Sequence, residues 1–172
     1  MEPMETWDTI RARRNVREYA DRPVAAEELD RILEAGRRAP SSRNQQPWDF
    51  VLVTDPDQLT ELATVWQGAG HVARSAATIA LVTPADPAQA DAVLYDLGQA
   101  TMAMMLAATD LGIGTGHSAV ADQDRAREVL GLPGDRRCAY LLALGYPAGR
   151  PLRPITRPKR RPFEEVVHRG RW

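Results

Sequence analysis

The chain has 172 residues, about the length of one domain with a real core. Apolar residues make up 44% and charged residues 26%, the balance of a globular protein and not of a disordered or fibrous one. Lys plus Arg (22) nearly cancels Asp plus Glu (23), leaving a net charge of -1; gripping nucleic acid through a whole surface asks for a basic excess, so no nucleic-acid partner is expected.

Taken in chain order, residues 4–14 place Trp7 and Ile10 at helical spacing and end in a charged run. Residues 25–38 read as a second helix, with Leu29, Ile32 and Leu33 on one face and acids in its first turn, stopped by Pro40. The β-rich stretch 48–54 predicts a strand, and Asp55-Pro56 predicts an N-cap followed by proline at the first helical position. Leu59, Leu62, Ala63 and Trp66 line that helix. The unbroken apolar run 78–82 predicts a strand buried on both faces.

Residues 87–111 form the longest helical pattern, apolar nearly all round, so it must be buried, and in a small protein another subunit is one place to bury it. Gly112, Gly114 and Gly116 then read as the cap and tight turn that close this helix. Asp122 caps a helix over 123–130 that Gly131 closes, and 138–146 is the third clear strand. Five prolines (147, 151, 154, 158, 162) and a basic run then make an extended arm with no core of its own. Strands do not alternate regularly with helices, which favours an α+β domain over a doubly wound parallel sheet.

No apolar run approaches the roughly 20 residues needed to span a bilayer, so no membrane partner is expected. The start MEPMETWDTI has neither the basic nor the apolar region of a signal peptide. Cys138 is the only cysteine, so no internal disulfide can form, and a cytoplasmic location is expected.

Several chemistries drop out on spacing. His71, His117 and His168 are far apart and no Cys or His pair has metal-ligand spacing, so no metal is expected. Gly116-His117-Ser118 lacks the second glycine of a nucleophile elbow and follows a helix. The glycine run neither leaves a strand to open a helix nor precedes a lysine, so it is neither a Rossmann fingerprint nor a P-loop; what survives is that glycines let backbone approach a flat ligand.

Two clusters remain. Arg11, Arg13, Arg14 and Arg17 near one end, and Arg157, Lys159, Arg160 and Arg161 near the other, are either solvated faces or cations that converge on one phosphate. Between them the stretch 39–48 gathers Asn44, Gln45 and Gln46, whose amides suit the edge of a heteroaromatic ring.

The segments Arg13-Arg14-Asn15-Val16-Arg17-Glu18-Tyr19, Ala39-Pro40-Ser41-Ser42 with Asn44, Gln46, Pro47 and Trp48, Leu111-Gly112-Ile113-Gly114, and Leu144-Gly145-Tyr146-Pro147 together resemble the FMN-dependent nitroreductase family. The closing stretch from Arg160 to His168, with Trp172, is similar to the end of its shorter members.

The resemblance implies one α+β domain over 1–172, with a central, mostly antiparallel sheet flanked by helices and a long helix buried in the interface of an intertwined homodimer. The arm from about 147 to 172 would embrace the partner. It implies FMN at the interface. Arg13 would bind the phosphate, Arg14, Asn15 and Arg17 would line phosphate and ribityl chain, and Pro40, Ser41 and Ser42 would reach the flavin from the other subunit. Asn44 and Gln46 would stand near the ring, and Gly114, Thr115, Gly116 and His117 would approach it through backbone N–H groups. Arg160, with Lys159 and Arg161 as alternatives, would complete the phosphate site. Hydride from NAD(P)H would pass through flavin N5 to an electron-poor small-molecule acceptor in a ping-pong cycle with no catalytic side chain. Flavin storage or specialised flavin chemistry on the same fold is the alternative.

Overall fold

The computed structural model describes residues 4–172; the first three residues of the stretch read as lacking a leader lie outside it. Nine main elements follow the chain: α1 (Thr6–Ala12), α2 (Ala26–Arg37), β1 (Asp49–Val53), α3 (Pro56–Leu62), β2 (Ala77–Pro84), α4 (Ala90–Asp110), β3 (Gly114–Ala119), α5 (Gln123–Leu130) and β4 (Arg136–Gly145).

Local chemistry explains most of the boundaries. Asp55 Oδ1 accepts the Gln58 N–H at 2.9 Å and Pro56 starts α3; Asp122 Oδ1 accepts the Arg125 N–H at 2.9 Å and starts α5. Gly131, at φ 64°, ends α5 in the left-handed conformation that glycine adopts without cost. The first helix is shorter than its sequence pattern: it stops at Ala12, and Arg13 turns the backbone extended (φ -60°, ψ 125°).

The strands form one antiparallel sheet in the order β1-β2-β4-β3. A strand stands where only a cap and turn were expected. The run Gly112–Gly116 does not only close the long helix: Gly112 makes the turn (φ 75°), and from Gly114 the chain is a fourth strand paired along β4. The segment after α1 runs beside it, with the Val16 N–H donating to Thr115 O at 2.8 Å. That contact explains why the strand is written with glycines. A Cβ on Gly114 would lie 2.6 Å from Val16 Cγ2, and one on Gly116 would lie 2.4 Å from Val16 O. The close approach the glycines permit is to this chain's own residues 16–19.

Each face of the sheet carries its own core. On one side α2 and α4 pack over Ala77, Ile79, Leu81, Leu142 and Leu144; on the other, α3 and α5 pack over Ala80, Val82, Cys138, Leu141 and Ala143. A register shift at Leu81/Val82 leaves Ala139 unpaired on β4, and this bulge reverses the in–out phase of the strand. Cys138 therefore shares a face with Leu141, and Ala139 with Leu142. Among the described residues no helix is long and apolar enough to cross a membrane.

The long helix is mostly buried within the chain, as expected of so apolar a pattern, but some large apolar side chains of α4, of α1 and of the arm stand open. On α4, Tyr95 is 72% exposed, and on α1, Trp7 is 67% exposed. In the arm Phe163, Val166, Val167 and Trp172 are exposed, the last at 99%.

Candidate functional site

The end of α1 delivers Arg13 to a shallow trough over α4. Because the helix stops at Ala12, Arg13 diverges from Arg14 and Arg17 instead of sharing a face with Arg17. Its Nη1 donates to Asn15 Oδ1 at 3.3 Å, which fixes the guanidinium. Burial, and then the charge of Arg160, hold Arg13 below the ordinary arginine range. The two cation clusters thus converge through this one pair. Neither guanidinium has a carboxylate partner among the described residues. Two like charges placed together with no acid between them disfavour the empty arrangement and favour an anion.

Arg13 and Met102 belong to two adjoining cavities. One, of about 710 Å³, is lined by Trp7, Ile10, Leu106, Ile155 and Arg160. The other, of about 380 Å³, lies over Leu81, Leu97, Gly98, Thr101, His117 and Tyr140. They share Arg13 and Met102: the first sets the Arg13/Arg160 pair among apolar side chains, and the second is mostly apolar over α4 and the sheet, so the two adjoin as one depression with Arg13 where they meet. His117 is exposed and pairs with Leu142 on the α4 face of the sheet, and the β4 bulge turns Tyr140 to the same side. A Cβ on Gly98 would meet nothing within 4 Å, so the floor stays low there. On the same face of β3, the buried Thr115 Oγ1 has no hydrogen-bond partner.

A model of the nitroreductase family matches residues 10–70 and 64–146. The chain belongs to the nitroreductase family. It is similar to a protein of Archaeoglobus fulgidus named as a candidate NADH dehydrogenase/NAD(P)H nitroreductase, at 31% identity over 98% of this chain and 99% of that protein. A crystal structure of a protein from Parabacteroides distasonis given the same candidate name superposes with a TM-score of 0.85 at 30% identity, covering 97% of this chain and 98% of the other. The NADPH:FMN oxidoreductase of Vibrio harveyi, in complex with NAD+, superposes with a TM-score of 0.81 at 25% identity over 95% of this chain and 76% of the other.

Against this nitroreductase framework the expected site residues fall into separate groups. Arg13, Arg160 and His117 line the depression. Arg14 turns away: its Nη2 donates to Arg150 O at 2.6 Å, beside Arg153 and Arg157. Arg17 is exposed and lies with Arg14, Asn15 and Glu18 in a separate groove of about 250 Å³. Arg161 is tied to Glu165, with Nε at 3.4 Å from its carboxylate and Nη2 donating to its carbonyl at 2.8 Å. Lys159 is exposed on the arm. Of the three late cations, Arg160 is the one facing Arg13. Gly114, Thr115 and Gly116 are buried in β3.

The loop carrying Pro40, Ser41, Ser42, Asn44 and Gln46 lines neither cavity of this chain. Three of its residues have left-handed backbone without being glycine: Arg43 (φ 53°), Asn44 (φ 57°) and Gln46 (φ 51°). Each such residue costs roughly 1–2 kcal/mol, so the shape must be imposed. Ser41 Oγ accepts the Gln46 N–H at 2.9 Å. Gln46 Nε2 donates to Asn44 O and Oδ1, both at 3.2 Å. Asp96 of α4 accepts the Ser42 N–H at 2.9 Å.

Sequence reasoning missed Asp96, whose only signal was a single acid amid Leu94, Tyr95 and Leu97. It also missed Tyr19, which ties down the 16–19 segment, and His71, which latches onto β3. Tyr19 OH donates to Val16 O at 2.8 Å, and His71 Nε2 lies 3.2 Å from Gly116 O.

Proposed function

We propose that this nitroreductase-family chain is an FMN-dependent oxidoreductase. It takes hydride from NAD(P)H and delivers it to an electron-poor small molecule, a nitroaromatic or a quinone, in two alternating half-reactions. The observation that carries this reading is the pairing of Arg13 with Arg160, without an acid between them, beside an apolar depression over α4 and the sheet. A flat ring joined to a phosphate matches that polarity. The name of the Vibrio harveyi relative, which pairs NADPH with FMN, agrees with the assignment.

Arg13 and Arg160 would hold the FMN phosphate, with Asn15 orienting Arg13. His117, exposed on β3, would face the ring, whereas the backbone of Thr115 and Gly116 is covered by Val16. Pro40, Ser41, Ser42, Asn44 and Gln46 would reach it from a second subunit, which explains why that loop lies outside this chain's own depression. When bound, FMN supplies hydride acceptance and donation at N5.

The chain supplies position and field. Leu81, Leu97 and Met105 exclude water from the floor of the depression, and the guanidinium pair neutralises the phosphate. The amides of Asn44 and Gln46, locked to one another, present donors and acceptors in a fixed orientation. No side chain is asked to act as nucleophile or acid.

The working form is a homodimer of one domain; residues 147–155 lie along this chain itself, with the Ala148 N–H on Glu18 O and the Ile155 N–H on Arg11 O, and the arm beyond them is laid on the partner. Exposed Trp7, Tyr95, Phe163 and Trp172 support that assembly. A single buried cysteine fits the reducing cytoplasm.

The test is a visible absorbance spectrum of the purified protein before and after anaerobic addition of NADPH or NADH. A flavin spectrum that bleaches is the expected result. Bound flavin that neither nucleotide bleaches overturns the reductase reading in favour of storage, and a colourless protein that cannot be loaded with FMN overturns the cofactor assignment.

A further inference from the structure

Asp96 lies within α4 and is 2% exposed, yet among the described residues no cation pairs with it. Its partners are neutral donors. Oδ2 accepts the Ser42 N–H at 2.9 Å, and Oδ1 accepts Ser42 Oγ at 3.3 Å and Gln99 Nε2 at 3.4 Å. A buried carboxylate without a cation is unfavourable compared with an apolar residue of similar size. The helix has no use for it, because α4 satisfies its own backbone at that depth.

What the carboxylate does serve is the loop above it. Ser42 immediately precedes Arg43 and Asn44, two of the three left-handed residues. A free loop of non-glycine residues relaxes away from such angles. Two ties oppose that relaxation: the Ser41 hydroxyl at the Gln46 end and the Asp96 carboxylate at the Ser42 end. The next residues of the same helix, Leu97, Gly98 and Thr101, form the floor of the depression. One helix therefore sets both the floor of its own site and the pose of the loop.

We propose that Asp96 is a positioning residue. It holds the loop 41–46 in the one strained shape that presents Asn44 and Gln46 to the flavin of the neighbouring subunit, and so sets flavin affinity without touching flavin. The proposal rests on the flavin reading above.

The experiment compares wild type, Asp96→Asn and Ser42→Ala. Asp96→Asn keeps size and one acceptor; Ser42→Ala removes one hydroxyl at an exposed position and leaves the fold intact if the first variant does not. Three quantities are read: the FMN dissociation constant of the apoprotein by flavin fluorescence, the rate of tryptic cleavage after Arg43 by mass spectrometry, and the apoprotein melting temperature.

Loss of a charge-assisted hydrogen bond predicts about tenfold weaker FMN binding in Asp96→Asn and a smaller loss in Ser42→Ala. Cleavage after Arg43 should accelerate selectively, and the bound-flavin absorption maximum should shift. Unchanged affinity and unchanged cleavage overturn the proposal. So does a fall in affinity that tracks a general drop in melting temperature with cleavage at every arginine, the mark of a merely structural residue. If wild type binds no FMN the flavin reading fails, and the cleavage rate alone then decides whether Asp96 holds the loop.

Discussion

Arg13 and Arg160 illustrate how one side chain can lower stability and raise affinity. Burial first, and then the charge of Arg160, hold Arg13 below the ordinary arginine range; a phosphate dianion would make the same pair favourable. Arg13→Ala should therefore weaken FMN binding by roughly 10- to 100-fold, the worth of a charge-assisted contact, while leaving the apoprotein melting temperature equal or higher. Arg161→Ala should leave FMN affinity within about threefold, the few tenths of a kcal/mol typical of an exposed pair, because its guanidinium is spent on Glu165. Fluorescence titration and thermal melts of the two variants check both statements; equal losses would misplace the phosphate. The four early arginines were visible in the sequence as a cluster. Which of them faces the site was not, because that depends on α1 stopping at Ala12 and turning Arg13 extended.

At the scale of elements, the legible parts were those whose cause is local. Pro40 after α2, the Asp55-Pro56 start of α3, the Gly131 end of α5 and the apolar run of β2 each carry their reason within a few residues. β3 does not. Its sequence GTGHSA lacks a strand's apolar alternation because Gly114 and Gly116 leave room for Val16 and Tyr19, residues about a hundred positions away. Separation along the chain, 54 residues here, also hid Asp96, which reads as one acid in an apolar helix until Ser42 is laid over it.

The latch on β3 also makes a pH prediction. His71 is buried beside Gly116 O, and because a carbonyl only accepts, its Nε2 carries the proton of that contact. Burial, with Arg17 and His117 adding to it, lowers its affinity for a second proton below the ordinary value of 6.5, and its contacts with the backbone of Gly116 and Gly68 only partly offset this. Below pH 6.5 the unfolded chain therefore binds a proton that the folded chain refuses, so stability is full above that pH and falls as pH drops through it. Apoprotein melts from pH 8 to 5 should show this decline, and His71→Gln, which keeps a donor for Gly116 O, should flatten it. An equal slope in the variant would assign the decline to other groups.

For the whole molecule, the surface of the single chain is the argument for a second one. Trp7 on α1, Tyr95 and Met102 on α4, and Phe163, Val166, Val167 and Trp172 on the arm all stand exposed, while the core on each face of the sheet is closed without them. The apolar character of α4 and of the arm's end was legible in the sequence; what would cover them was not, because burial against another copy would leave no local mark. The arm joins the two questions, since Arg160 lies on it between Ile155, whose N–H donates to Arg11 O at 3.1 Å, and the exposed apolar end.

Ending the chain after Thr156 removes Arg160 and all four apolar residues of the arm's end, yet leaves every strand and helix of the two cores in place. The shortened protein should keep a cooperative melt, lose FMN during gel filtration, and shift toward monomer by light scattering. Restoring residues up to Arg161 should recover part of the FMN binding without restoring the dimer. Flavin retained at full occupancy by the shorter protein would place the phosphate away from Arg160, and a stable dimer would show that Trp7, Tyr95 and Met102 suffice to hold two copies together.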